Sequence, residues 1–152
     1  MKKHQTFFEE NGINTIDFLF NNAKETEDFI LAGTRGWFSD EDAMKTVTDA
    51  DFKKLRAREL LRLRASLDAA KALQSEECPK EILVFTHFPP VWSGNANEEF
   101  IDLLEEYGIK RVYYGHIHGQ YTAPPSFVYR DIQFTITSAD YLEFIPLHIA
   151  KS

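Results

Sequence analysis

The clearest pattern in the chain is a run of apolar residues without polar interruption, Ile82-Leu83-Val84-Phe85, inside Glu81 to Thr86. A strand buried on both faces, usually a parallel one, reads this way. Downstream, Phe100, Ile101, Leu103 and Leu104 place apolar side chains at helical spacing between Asn97 and Tyr107, and Gly108 closes that helix. Lys110 to Tyr114 predicts a further strand. The helix between residues 85 and 110 then becomes a crossover joining parallel neighbours, right-handed by the general rule. Upstream, Leu60, Leu63, Leu67, Ala70 and Leu73 recur every three or four residues and predict a helix from 51 to about 75. Thr48 is its cap and Asp51 lies in its first turn.

The ends of the chain are less regular. Residues 3–11 predict a short helix stopped at Asn11-Gly12. Thr15 to Phe20 predicts a strand and Asn21-Asn22 a turn. Asp28 to Ala32 is an apolar run that suits a hairpin partner of the first strand. Gly33-Thr34-Arg35-Gly36-Trp37 implies a tight backbone path beside an aromatic ring. Phe38 to Thr48 is polar and loop-like. Ile132 to Thr137 and Leu142 to Leu147 predict two closing strands. Strand–helix–strand elements in the centre, with antiparallel-like strands at both ends, give a layered α/β class. There is no internal repeat.

Composition narrows the class. The chain has 152 residues, 43% apolar and 14% aromatic, with thirteen phenylalanines. A single domain of about this length buries roughly 68–70% of its unfolded surface, and disorder is excluded. One cysteine, Cys78, cannot form an internal disulfide. No apolar run approaches a membrane span of ~18 residues, so a cytoplasmic protein is expected. With 24 acidic and 17 basic residues the formal charge is -7. That balance argues against a nucleic-acid surface. The cluster Lys53, Lys54, Arg56, Arg58, Arg62 and Arg64 is read as a solvated helix face.

Three of the five histidines carry the candidate chemistry. His87 follows the first central strand in Thr86-His87-Phe88-Pro89-Pro90. His116 and His118 follow the next in Gly115-His116-Ile117-His118-Gly119. Loops at the carboxyl ends of parallel strands are where open α/β sheets place their sites. Neighbouring strands about 4.8 Å apart can bring such loops within reach of one metal site. Imidazole suits first-row metals. Ile117, between the pair, is expected to anchor the loop in apolar packing. His4 and His148 are read as structural. Arg35 is the candidate phosphate contact, since its planar fork matches phosphate oxygens; pairing with a carboxylate that orders its loop is the other reading. Glu98, Glu99, Asp102, Asp140, Glu143 and the run Asp40-Glu41-Asp42 are given structural roles. Trp37 and Trp92 either wall a cleft or pack the core, with packing preferred. Tyr113 and Tyr114 are read as strand packing.

The two histidine segments resemble the last two metal motifs of the calcineurin-like metallophosphoesterases. Gly33-Thr34-Arg35-Gly36-Trp37 and Ser138-Ala139-Asp140-Tyr141-Leu142 resemble a bacterial branch of predicted phosphohydrolases in that family. The resemblance implies a mixed-sheet sandwich with helices outside, of which residues 1–152 correspond to the carboxyl-terminal half. It implies two ions, manganese, iron or zinc. His87 and His116 would bind one of them and His118 the other. The family's Asp-x-His, Gly-Asp-x-x-Asp and Gly-Asn-His-Asp/Glu motifs do not occur here, so the chain is expected to begin roughly where the family sequence resumes after them. The sequence reading is thus a partial domain with an incomplete dinuclear site and no assigned catalytic residue, acting on a phosphate ester once completed. It would be nearly inactive alone and would need a complementary amino-terminal half or a second copy against an exposed apolar sheet face. The alternative is a catalytically silent binding or structural remnant.

Overall fold

The computed structural model describes residues 2–37 and 49–151. The polar loop, the Thr48 cap and Asp40-Glu41-Asp42 lie outside the described residues. The chain forms an α/β fold built on a mixed six-stranded sheet.

The first helix, α1 (Lys2–Glu10), ends at Gly12 with φ 66°. Strands β1 (Asn22–Glu25) and β2 (Phe29–Thr34) form an antiparallel hairpin at one edge of the sheet. Helix α2 (Asp49–Ala72) leads to β3 (Glu81–Thr86). A small hairpin of β4 (Val91–Trp92) and β5 (Asn95–Ala96) precedes α3 (Glu98–Glu106). Strands β6 (Arg111–Tyr114), β7 (Ser126–Tyr129) and β8 (Ile132–Ile136) complete the fold. The sheet order is β1-β2-β3-β6-β8-β7. The inner four strands run parallel and each edge strand is antiparallel.

One face of the sheet carries Ile30, Ala32, Val84, Val112 and Phe134. It packs under Leu63, Leu67 and Ala70 of α2 and Phe100, Ile101 and Leu104 of α3. Asn97 caps α3, its side chain accepting from the Phe100 amide. Ser66 of α2 ties the hairpin to the helix. Its Oγ accepts from the Gly33 amide at 2.8 Å and donates to the Asn22 carbonyl at 2.6 Å.

Several sequence expectations need correction. Residues 15–20 form no strand. Phe18 instead stacks on Phe8, with ring centroids 5.5 Å apart, and Leu19 covers Gly33. The hairpin partner of β2 is the polar segment Asn22-Ala23-Lys24-Glu25. Only an edge position lets so polar a strand pair on one side and meet water on the other. Leu142 to Leu147 is turn and irregular chain, and His148 sits in that irregular tail. Leu73 lies past the end of α2 and is exposed. The second sheet face is not bare either. It carries Phe29, Leu83 and Tyr113, all buried, with Leu31 and Phe85 partly so, and Ile149 packs against them. The Ala150 carbonyl accepts from Arg111, and Lys151 pairs with Asp28. The end of the chain thus lies along part of this face.

No helix among the described residues is long and apolar enough to cross a membrane. The basic residues of α2 behave as a solvated face, with Arg56 near Glu99 and Arg64 bridging Glu106.

Candidate functional site

The carboxyl ends of the four parallel strands lie side by side. Each leads into one of the segments singled out in the sequence. Arg35-Gly36-Trp37 follows β2, His87-Phe88 follows β3, and His116-Ile117-His118 follows β6. Ser138 to Asp140 follows β8. Backbone hydrogen bonds latch these loops together. The amides of His87 and Phe88 both donate to the Arg35 carbonyl, at 3.0 and 2.9 Å. The Gly115 amide reaches Thr86 O, and the Thr137 amide reaches Tyr114 O. Gly36 sits at φ 71°, and a Cβ there would come within 3.1 Å of the Phe88 carbonyl. The two-glycine segment is therefore tight for the reason its sequence suggests.

His87 and His116 meet. Nε2 of His87 is 3.0 Å from Nδ1 of His116, and the rings are nearly perpendicular at 82°. The Phe88 ring lies 4.5 Å from that of His116. His116 takes φ 68°, and the Ile117 amide donates across it to the Gly115 carbonyl at 2.8 Å. This is a γ-turn with positive φ, rare for a residue bearing a side chain. It turns the loop so that Ile117 is buried in the main core, as its position predicts.

His118 points elsewhere, onto Asp140. Its Nδ1 is 2.7 Å from Oδ1, and the Gly119 amide and the Tyr121 hydroxyl both donate to Oδ2. The hydrogen bond from His118 holds the Asp140 carboxyl below the usual carboxylate range. The sequence reading passes over Asp140 as structural. The only available signal was its position just after a strand that ends beside the histidine loop. The other acidic residues near the loop do hold structural roles: Glu98 and Asp102 pair with Arg130, and Glu99 with Arg56.

Burial is the main factor that lowers the pKa of His87 and of His116. The Arg35 charge and His118 push both further down, and His87 also acts on His116. Neutral imidazole is thus favoured, the form that ligates metals. Arg35 is exposed. Its guanidinium lies over the rings of Phe88 and Trp37, at 5.0 and 5.6 Å from their centroids. It is held by stacking rather than by any described carboxylate, which leaves the fork open to an anion.

The donor set fits part of a metal site. Tetrahedral ligand atoms at 2.0–2.1 Å from zinc stand roughly 3.3 Å apart, so the His87–His116 pair needs only a slight opening to share an ion. Among the described residues, no three His, Cys, Asp or Glu side chains gather as a full set. Four buried polar atoms at the same strand ends, Thr86 Oγ1, Tyr114 Oη, Ser138 Oγ and Trp37 Nε1, have no hydrogen-bond partner among the described residues. Such atoms are uncommon in folded proteins.

No family model, curated protein or solved structure matches the chain.

Proposed function

We propose that this chain supplies the histidine side of a two-metal phosphoester hydrolase, a calcineurin-like metallophosphoesterase in type, and that other donors complete the site. The reading is carried by the 3.0 Å approach of His87 Nε2 to His116 Nδ1 at adjacent parallel strand ends. In the completed site His87 and His116 would share one ion. His118 would serve the other, with Nε2 left for it because Nδ1 is engaged by Asp140. Metal-ligating histidines ordinarily make that second hydrogen bond to a carboxylate or carbonyl, which fixes the ring and its tautomer. Bound ions would activate a water and neutralise phosphoryl oxygens.

The chain's own residues set the rest. Arg35 presents its fork beside the histidines and holds a phosphate by paired N–H donors. The bent Gly115-His116-Ile117 turn fixes where the histidine rings stand. Among the described residues no carboxylate stands with His87 and His116 to bridge two ions; in this proposal a complementary segment or a second copy of the chain supplies it.

Elemental analysis after Mn²⁺ loading and desalting tests this, with and without a polypeptide that carries the Asp-x-His and Gly-Asn-His motifs. The expected result is little retained metal alone and two ions per pair after mixing. Phosphatase activity should appear with them, and both should be lost in the protein with His87, His116 and His118 replaced by alanine. Metal and activity that survive the triple replacement would overturn the reading.

A further inference from the structure

The β4–β5 hairpin, the edge strand β7 and the start of α3 border a cavity of about 510 Å³. Its size is within the roughly 300–1,000 Å³ typical of small-molecule sites. Three half-buried rings line it, Trp92, Phe127 and Tyr129, with Val91 and Pro124 beside them and Glu98 as the one charged lining residue. We infer that this cavity binds the quaternary ammonium head of a small organic cation, a trimethylammonium group of the choline kind. The inference goes beyond the proposed hydrolase and does not depend on it.

The rings are held by their neighbours. Trp92 stands at 67° to the buried Tyr114 ring, with centroids 6.3 Å apart. Phe127 is backed by a stacked Phe134 at 5.6 Å. The Tyr129 hydroxyl donates to Glu98 at 2.6 Å. A cation is drawn to the face of an aromatic ring by the ring's quadrupole, most strongly to Trp. Elsewhere the chain uses this attraction on itself. Arg35 lies over Trp37 and Phe88, Arg62 over Phe20, Arg64 and Lys71 over Tyr107, and Arg111 over Phe29, all within 6.0 Å of the ring centroid. Among the described residues no Lys or Arg lies over Trp92, Phe127 or Tyr129, so these rings are left for a cation from outside.

Charge selects the same guest. Glu98 belongs to a cluster in which three carboxylates, its own and those of Asp102 and Glu105, surround the single guanidinium of Arg130. The cluster is net negative, which repels an anion from the cavity and attracts a cation. The hydrogen-bonding inventory then favours a quaternary cation over a primary one. Glu98 already accepts from Tyr129 and Arg130, and the lining carbonyl of Ala123 accepts from Tyr141 at 2.7 Å. A primary ammonium carries three N–H donors and loses water on entry, which costs free energy unless acceptors replace it. A trimethylammonium has no N–H to satisfy. Its methyl groups pack on the rings while its charge meets their faces.

Two probes of the same shape test this by NMR titration of the full chain: choline, and 3,3-dimethyl-1-butanol, in which carbon replaces the charged nitrogen. Choline should shift the Trp92 indole, Phe127 and Tyr129 signals and bind roughly tenfold more tightly than the neutral alcohol. Trp92→Leu keeps an apolar wall and removes the ring; it should weaken choline roughly tenfold and leave the alcohol nearly unchanged. Glu98→Gln, at an exposed position, should weaken choline several-fold with the alcohol again unchanged. Equal binding of the two probes by the wild-type chain would overturn the proposal, and so would choline binding that both variants retain in full. The readout involves neither metal nor turnover, so failure of the hydrolase reading leaves it standing, and its own failure leaves the hydrolase untouched.

Discussion

His87 Nε2 and His116 Nδ1 stand 3.0 Å apart, so in the ion-free chain one imidazole nitrogen donates and the other accepts. Burial lowers both pKa values, and Arg35 adds to the effect. Two-dimensional NMR titration should place both below 6.5, the ordinary histidine value. Arg35→Gln should raise both toward it. The sign for stability follows from linkage: the unfolded chain takes up protons first as pH falls below about 6.5, so the folded state loses stability there and regains it above. A pair that titrates at or above 6.5 would contradict the arrangement.

The positive φ of His116 predicts an unusual ranking of substitutions. A side chain in the left-handed region costs roughly 1–2 kcal/mol, and glycine escapes it. His116→Gly should therefore be more stable than His116→Ala by about 1 kcal/mol in urea denaturation, against the usual order for a flexible residue. The reverse order would place this loop in an ordinary conformation.

Gly33 predicts the opposite sensitivity. A Cβ at this position would lie 2.7 Å from the Phe85 carbonyl and 2.8 Å from Leu19 Cδ2. The backbone carbonyl cannot yield as a side chain can, because it belongs to the central strand. Gly33→Ala should cost roughly 1–3 kcal/mol, the usual range for overpacking, seen as a lower urea midpoint with an unchanged slope.

Tyr114→Phe should gain stability. Removal of a buried hydroxyl without a partner is worth about 1 kcal/mol. Burial raises the phenol to about 12. The unfolded chain ionises from about pH 10 and the folded one does not, so the wild type loses stability between pH 10 and 12. The variant should lack that contribution to the loss. A less stable variant would mean that the hydroxyl has a partner.

Asp140 orients His118 and touches neither ion nor substrate in the proposed site. Asp140→Asn should leave the fold intact, alter the His118 tautomer ratio in the NMR spectrum of the chain alone, and weaken metal binding by the completed assembly about 10–100-fold. Asp140→Glu should recover part of that affinity. An unchanged tautomer ratio would remove Asp140 from the site.

What the sequence disclosed and what it hid have separate physical causes. Ile82 to Phe85 announced a central strand because burial on both faces leaves no place for a polar residue. Asn97 and Gly108 marked both ends of α3 through their own capping chemistry. Ser126 to Tyr129 was missed because its turn is Arg130-Asp131. Both residues have positive φ, 48° and 59°, without the glycine or asparagine that signals such a turn. Arg130 is held there by Glu98, Asp102 and Glu105, partners that only the folded α3 provides. Phe18 and Leu19 looked like strand residues because packing against a ring and packing in a sheet demand the same apolarity. At the site, the strand-end histidines were legible. The Asp140 contact, 22 residues from His118, was not, because it depends on where β8 ends.

The tail from Phe144 to Lys151 makes the second sheet face self-limiting. It shelters Phe29, Leu83 and Tyr113 with one apolar anchor, Ile149, yet leaves Phe144, Ile145 and Leu147 in water at 80, 66 and 44% exposure. A lodger so lightly held screens the sheet from casual contacts. Any larger body that came to rest there would have to evict it first. The evicted segment would carry its apolar side chains along, free to clasp the newcomer from outside.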